Sequence, residues 1–475
     1  LFRSSSGPGG ERGHAYAAAS SEDEIVLRVC SWEEYIDLGG WEEDETARRQ
    51  AEAPWPVTAL QAAALVSALP QAQRSQAEPA LREAAEALLQ RGSWSFTPLS
   101  PQTVEALYGK TVRLSATSID KYASCKLAFY LDFGLRLKEL KPAGVDAPLF
   151  GTFVHDVLEH TVGDVMARGG FHTVSREETE ALAETHMQAF LQEQLGDLED
   201  RSQRASFLLQ RSLEEIRGIV RELWEELSVS QFRPERWEME FHETFPASRG
   251  NACLLRGKVD RVDLYRGAGG PAYLRVVDYK TGRKDFDLTD ILSGMGLQLL
   301  IYLFTLEERD LLGEKTKPAG VQYFPARIPI QSEKEKPTAP VAEKLRRDQF
   351  RRKGMLLNDP VILQAMEPTE KGKTPRFLDV KRGKIENLAA PEEFDRLKGF
   401  VQRTVAEMTD QIMSGTVAPN PYDRGPRNSA CLYCPHVAIC HVQSGSVPKR
   451  RLAAVNWPEF LERLKREEEK AHGEI

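Results

Sequence analysis

Residues Gly257 to Lys280 read GKVDRVDLYRGAGGPAYLRVVDYK: two runs rich in Val, Leu and Tyr flank a Gly- and Pro-bearing turn, Gly267 to Pro271. The pattern predicts a β-hairpin. With pairing symmetric about the turn, Asp260 lies opposite Asp278, and because side chains alternate along a strand, Asp278 and Lys280 share one face. Two carboxylates and an ammonium then occupy one small patch. Carboxylates that close repel unless a cation joins them, and hard oxygen ligands in that arrangement suit Mg²⁺ or Mn²⁺.

An acid-x-Lys triplet is a cheap pattern. The chain has others at Glu139-Leu140-Lys141, Asp379-Val380-Lys381 and Glu468-Glu469-Lys470, all in charged segments of the kind that form solvated surface. The triplet at Asp278 differs in context. It ends an apolar run (Leu274, Val276, Val277), follows a matching strand with an acid in the opposed position, and leads into the loop Thr281-Gly282-Arg283.

The 475 residues are enough for two or more domains, and 41% hydrophobic with 28% charged residues is the composition of an ordinary soluble globular protein. No apolar run approaches the roughly 18 residues of a membrane span, and no signal peptide opens the sequence, so a cytoplasmic protein without membrane contact is expected. Leu1 in place of Met suggests the C-terminal part of something longer. A formal net charge of −8 argues against nucleic-acid binding by global electrostatics but leaves room for a local basic groove. Lys344 to Lys353, and then Lys371, Lys373, Arg376, Lys381, Arg382 and Lys384, offer cations to a phosphate backbone; a solvated helix face explains each segment equally well.

Three of the six cysteines fall in one run, Cys431-x2-Cys434-x5-Cys440, while Cys30, Cys125 and Cys253 stand far apart. Clustered cysteines in a cytosolic chain point to metal or iron–sulfur ligation rather than disulfides. Residues 1–110 have their own character: His14 to Ser31 reads as a small-residue helix followed by an apolar strand, and the Ala-rich segments 57–69 and 77–90 read as helices. No Walker A loop occurs, since Val104 and Glu367 stand where the first glycine would precede Gly109-Lys110-Thr111 and Gly372-Lys373-Thr374. From Leu114 a new unit starts with the helix-capping residues Ser115 and Ser118. Helices follow from Phe150 and over 175–230, then a strand around Trp237 to Phe245, the hairpin, and a helix from Met295 to Leu306. A Lys/Pro/Glu-rich stretch, about 325–385, reads as a basic insertion, and 446–475 as a charged helical tail.

Taken in order, a Ser-x-x-Ser-x-x-x-Tyr122-x-x-Cys125 helix start, Gly151-x-x-x-His155, Gly257-x-Val-Asp260-Arg-x-Asp, Asp278-Tyr-Lys280-Thr-Gly, Gln298-x-x-x-Tyr302 and Cys431-x2-Cys434-x5-Cys440 resemble the RecB type of PD-(D/E)XK nuclease. The split cysteine set is similar to that of its AddB branch. The resemblance implies an α/β fold with a restriction-endonuclease-like core, a mixed central sheet flanked by helices with large helical insertions, over residues 111–445. It implies that Asp260 and Asp278 bind Mg²⁺ or Mn²⁺ with His155 as a further ligand. Lys280 would position the attacking water and stabilise charge on the phosphate, while Gln298 and Tyr302, on one helix face, would line the site. Glu240 is a further candidate carboxylate, with Glu238 and Glu243 competing. Cys125, Cys431, Cys434 and Cys440 would hold a [4Fe–4S] cluster as a structural staple; zinc, with His436 or His441 substituting, is the alternative. Lys126 departs from the proline that often follows the first cysteine in the family.

The same resemblance implies an exonuclease acting on single-stranded DNA ends in a helicase–nuclease for double-strand-break repair, with an AddA-like partner subunit. Residues 1–110 also resemble, loosely, the end of a superfamily-one helicase, with Ser21 where that family has a phosphate-contacting arginine; an inactivated helicase remnant is expected there. Two alternatives stay open: a stand-alone RecB-like or CRISPR-associated nuclease, and a non-catalytic iron–sulfur or zinc scaffold that binds DNA.

Overall fold

The computed structural model describes residues 14–21, 24–30, 55–58, 63–92 except 65, 68 and 70, and 96–473 except 139–146, 196–202, 248, 268, 310, 328–338, 441 and 443–446. The chain divides into two compact units, Leu1–Phe96 and Thr97–Ile475. In the first, β1 (His14–Ser21) pairs antiparallel with β2 (Glu24–Cys30) and β3 (Trp55–Thr58), and α1 (Pro79–Gly92) follows. The helix expected at His14 is therefore a strand. Alanine favours helix only weakly, and pairing with Ile25-Val26-Leu27-Arg28-Val29 overrides that preference.

The second unit is built on a seven-stranded mixed sheet. Its strands are β4 (Val112–Ser115), β5 (Arg233–Pro246), β6 (Ala252–Tyr265), β7 (Ala272–Lys280), β8 (Thr316–Pro325), β9 (Lys353–Leu357) and β10 (Leu388–Ala389). The order β10-β9-β8-β7-β6-β4 combines parallel pairs (β4–β6, β7–β8, β9–β10) with antiparallel ones (β6–β7, β8–β9), and β5 lies antiparallel along the other flank of β6. The hairpin register runs from Tyr265↔Tyr273 to Arg261↔Val277, the symmetric register about the turn, and the pairing stops one step before Asp260 and Asp278.

Helices cover both faces. One carries α2 (Ala116–Ser124), α7 (Gln298–Glu308), α8 (Pro391–Met413) and α9 (Trp457–Gly473); the other carries α3 (Ala147–Ala167), α4 (Arg176–Leu195) and α5 (Gln203–Leu227), while the short α6 (Leu288–Leu292) lies between β7 and α7. The helix α2 starts on a reciprocal capping box in which the Ser118 N–H donates to Ser115 Oγ (3.3 Å) and the Ser115 N–H to Ser118 Oγ (2.8 Å). Val154, Val157, Leu158, Val162 and Val165 recur at helical spacing on α3 and are all buried, each such side chain contributing about 1.5–3 kcal/mol relative to exposure.

Two boundaries differ from expectation. The helix α7 begins at Gln298 rather than Met295, because Gly294 and Gly296 take φ of 80° and 65° and turn the chain first. Within the basic stretch 325–385, residues 353–357 form strand β9, and Phe350 and Arg352 are buried, so part of that stretch belongs to the core. Among the described residues no helix is long and apolar enough to cross a membrane.

Candidate active site

Strands β4 and β7 share one flank of β6. β4 pairs with Cys253 to Arg256 and β7 with Arg261 to Tyr265, so on that flank Gly257 to Asp260 pair with neither. Because β4 runs parallel and β7 antiparallel to β6, their C-terminal ends face each other across this gap. The alternation of β6 also changes phase here: Cys253, Leu255 and Val259 face the same core as Val262 and Leu264. Odd positions before the gap and even positions after it mean that the alternation breaks at Val259–Asp260, beside the left-handed Glu238, while the register with β5 runs unbroken from Arg261↔Trp237 to Val259↔Met239. Gly257 keeps the gap open to a helix, since a Cβ there would stand 2.4 Å from the Phe241 ring and 2.6 Å from the Tyr302 ring.

Side chains from three strands and two helices converge on the gap. Asp260 Oδ2 accepts the Tyr279 N–H at 2.7 Å, while Asp278 Oδ2 is buried, 2.6 Å from Lys280 Nζ, and lacks any well-angled hydrogen bond. Lys280 Nζ also donates to Gln298 Oε1 (3.2 Å), whose amide donates to the Tyr302 hydroxyl (3.4 Å). His155, from α3, donates its Nε2–H to the Tyr279 carbonyl (3.0 Å). That bond fixes the tautomer and leaves Nδ1 3.4 Å from Glu238 Oε1 and 3.6 Å from Asp260 Oδ2. Glu238 reaches this position from a left-handed φ of 48°, between Trp237 paired with Arg261 and Met239 paired with Val259, and its other oxygen lies 2.6 Å from Lys258 Nζ. Among the described residues His155, Glu238 and Asp260 form the one group whose ligating atoms all lie within 4.8 Å of one another.

The electrostatics match this crowding. Burial, and then the charge of Asp278, push Asp260 up to about 7, and burial raises Asp278 against the opposing pull of Lys280. Glu238 moves down: His155 and Lys258 outweigh its burial. Burial disfavours the His155 imidazolium, yet Glu238 and Asp260 outweigh it and the net shift is upward. Two neighbouring carboxylates whose charged forms burial disfavours are the environment a hard divalent ion fits.

Behind the gap, on the opposite face of the hairpin, lies a fully buried ionic network. Asp263 accepts from Arg261 (2.9 Å) and Arg275 (2.6 Å), and Glu226 of α5 meets Arg261 (3.5 Å), Arg275 (3.2 Å) and Arg352 (2.9 Å). Arg261 also donates to the Tyr279 hydroxyl (3.3 Å), on the residue whose backbone holds both Asp260 and His155.

Separately, Cys125, Cys431, Cys434 and Cys440 line one small cavity together with His436. No three of the four sulfurs lie mutually within 4.8 Å. Burial, and the neighbouring sulfurs with it, push the Cys431 and Cys434 thiols up. His436 Nε2 bonds Asp132 Oδ1 at 2.6 Å, and Asp132 in turn pairs with Lys121 (2.9 Å). His441 lies outside the described residues.

The structure thus brings together Asp260, Asp278, Lys280, Gln298, Tyr302 and His155, and separately the four cysteines. Glu240 is exposed and takes no part; Glu238 stands in the place considered for it. Nothing in the sequence separates Glu238 from its acidic neighbours, because the distinction is a backbone irregularity. Of the other acid-x-Lys triplets, Glu139 to Lys141 lies outside the described residues, and Asp379 is half-buried rather than solvated.

A mixed sheet clasped by helices, with acids and a lysine where two strands diverge, defines a nuclease of the PD-(D/E)XK class. The family described as the PD-(D/E)XK nuclease superfamily matches residues 113–441, and the chain belongs to it. Among curated proteins it is similar to a subunit of the ATP-dependent helicase/deoxyribonuclease of Moorella thermoacetica, 30% identical over 371 residues, covering 74% of this chain and 32% of that protein. The helicase/deoxyribonuclease subunits of the same name from Acetivibrio thermocellus (31% over 361 residues, 72% and 31% covered) and Clostridium tetani (28% over 352 residues, 71% and 30% covered) match alike. The chain spans about a third of the length of these relatives.

Proposed function

We propose that this chain is a Mg²⁺- or Mn²⁺-dependent deoxyribonuclease domain that cuts single-stranded DNA ends within a helicase–nuclease for double-strand-break repair, beside an AddA-like partner. The observation that carries the reading is the meeting of Asp260, Asp278 and Lys280 with His155 and Glu238 at the gap beside β6. Asp260, Asp278 and Glu238, with His155 Nδ1, would hold the metal; a divalent ion there supplies Lewis-acid polarisation of the phosphate and acidifies water. Lys280, held by Asp278 and Gln298, would offer its ammonium to the charge that builds on the phosphate oxygens. The Gln298 bridge from Lys280 to Tyr302 fixes the lysine against α7. The reading carries with it an ATPase-silent remnant of the motor part over residues 1–110 and a cytoplasmic setting.

For the cysteines we favour [4Fe–4S] over zinc. The donors that would be left are four thiolates, since the imidazole beside them, His436, has its Nε2 committed to Asp132. An isolated chain that absorbs near 400 nm and contains iron but no zinc meets this expectation; a colourless, zinc-bearing one overturns it.

The test of the site is cleavage of end-labelled single-stranded DNA in Mg²⁺ or Mn²⁺ by the wild type, Asp278→Ala and Lys280→Ala. Loss of a single stabilising group of this kind costs on the order of 10²–10³ in rate. Equal degradation by all three proteins removes the assignment.

A further inference from the structure

Two imidazoles meet between α3 and α4. Asp156, His160 and Asp164 recur every four residues and so form one stripe along α3, and His186 of α4 comes up against it. The rings of His160 and His186 stand with their centres 5.1 Å apart and their planes inclined by 33°. Each ring has one nitrogen committed to an acceptor. The His160 Nδ1–H donates to the Asp156 carbonyl (2.8 Å), and the His186 Nε2–H donates to Asp164 Oδ2 (2.9 Å). Both tautomers are thereby fixed, and the lone pairs fall on His160 Nε2 and His186 Nδ1, neither of which makes a hydrogen bond among the described residues.

Histidines that bind a metal do so in this state, with the second ring N–H given to a carboxylate or a backbone carbonyl. Two imidazoles bound to one tetrahedral ion through bonds of about 2.0–2.1 Å hold their ring centres roughly 5 Å apart, the separation found here. Ring contact alone does not call for both N–H groups to be tied back, and the bond to Asp164 leaves the ligand nitrogen of His186 free. His160 is 52% exposed and His186 20%, so an ion reaches the pair from solvent. The carboxylates of Asp156 and Asp164 beside the rings give it a negative surrounding. Imidazole nitrogen suits zinc, copper and nickel, whereas the carboxylates at the gap suit the harder Mg²⁺ or Mn²⁺.

We infer that His160 and His186 form a further metal site, distinct from the gap and from the cysteine cavity, which takes a zinc-class divalent ion on His160 Nε2 and His186 Nδ1, with water completing the shell and Asp164 orienting His186. The ion would fasten α4 to α3, the helix that brings His155 to the gap. The inference stands apart from the nuclease reading and needs no cleavage to be tested.

The test counts Zn²⁺ on the 475-residue chain, as isolated and with Mg²⁺ in excess to fill the gap, by equilibrium dialysis over a zinc series and by calorimetry. His160→Ala, and separately His186→Gln, which keeps a donor toward Asp164, should each hold one Zn²⁺ fewer per chain than the wild type, while the cysteine site is the same in all three. Asp164→Asn should weaken that ion about 10- to 100-fold, as loss of an outer carboxylate does. The His160 ring is exposed, so His160→Ala folds and keeps the zinc-free urea midpoint of the wild type. X-ray absorption at the zinc edge should lose imidazole nitrogen at about 2.0–2.1 Å in both histidine variants. Equal zinc uptake by the wild type and either histidine variant overturns the proposal. So does one Zn²⁺ per two chains with zinc-driven dimerisation in sedimentation, which would place the ion between chains rather than between α3 and α4.

Discussion

Tyr279 sits at the middle of the site without offering it a side chain. Its N–H holds Asp260, its carbonyl holds His155, and its hydroxyl, on the far face, accepts from Arg261. Alternation along β7 explains the division: Asp278 and Lys280 point to the gap, Tyr279 to the core behind it, and only its backbone reaches both. Asp278 and Lys280 were therefore legible from spacing alone, while the bonds that aim Asp260 and His155 were not. Two predictions belong to single residues. Glu238→Ala should weaken divalent-metal binding, read by calorimetry, and lower DNA cleavage, whereas Glu240→Ala should leave both at the wild-type level, since Glu240 is exposed and Glu238 is held by Lys258 and faces His155. Gln298→Ala removes one hydrogen bond to Lys280 and should slow cleavage only about tenfold, the rate equivalent of about 1.4 kcal/mol. A loss as large as that of Lys280→Ala would show that Gln298 touches the reacting atoms itself.

At the scale of the element, the strand β6 does two jobs and changes phase between them. Its first half packs beside β4 and its second beside β7, and once the phase has changed at Val259–Asp260, ordinary alternation sends Asp260 to the site and Arg261 into the buried network. Alternation read from the sequence assumes an unbroken strand, so it found the acids but missed the switch and the matching irregularity at Glu238. Gly257→Ala should press a methyl into Phe241 and Tyr302, at a cost of about 1–3 kcal/mol, and displace Tyr302 from Gln298; reduced stability in urea with impaired cleavage is the expected pair of outcomes. The network gives a sharper test of stability. Glu226 accepts from three buried arginines, which together hold it down to about 2 against its burial. Glu226→Ala strands those cations in the core and should cost about 3–5 kcal/mol, measured as a lower urea midpoint at unchanged slope. A shift under about 1 kcal/mol would mean that the arginines find other partners.

For the whole molecule, the decisive contacts join distant parts of the chain. Cys125 and Cys431, 306 positions apart, line one cavity, and the segment carrying the later cysteines is also tied down by His436 to Asp132, by the Lys126 N–H to Asn420, and by Arg424 to Asp287 and Asp290 beside α6. These polar ties need no metal. Cys125→Ser should therefore abolish metal or cluster binding and lower thermal stability, yet leave the C-terminal segment docked. Asp132→Ala in the Cys125→Ser background should then release it, seen as new proteolytic cleavage between residues 425 and 450. Release by Cys125→Ser alone would assign the docking to the metal site instead.

Much of this protein is dictated locally. The hairpin, its register, the capped start of α2, the buried stripe of α3 and the pairing of Asp278 with Lys280 on one face all follow from spacing, turn residues and side-chain alternation, which act within a few residues. Tertiary structure alone decided which glutamate joins Asp260, because that depends on one left-handed residue in β5. It also decided that part of a basic stretch enters the sheet through β9, that an Ala-rich segment at His14 is a strand, and that Cys125 meets the later cysteines. Each of these rests on which distant segments meet, and no local pattern of residues carries that information.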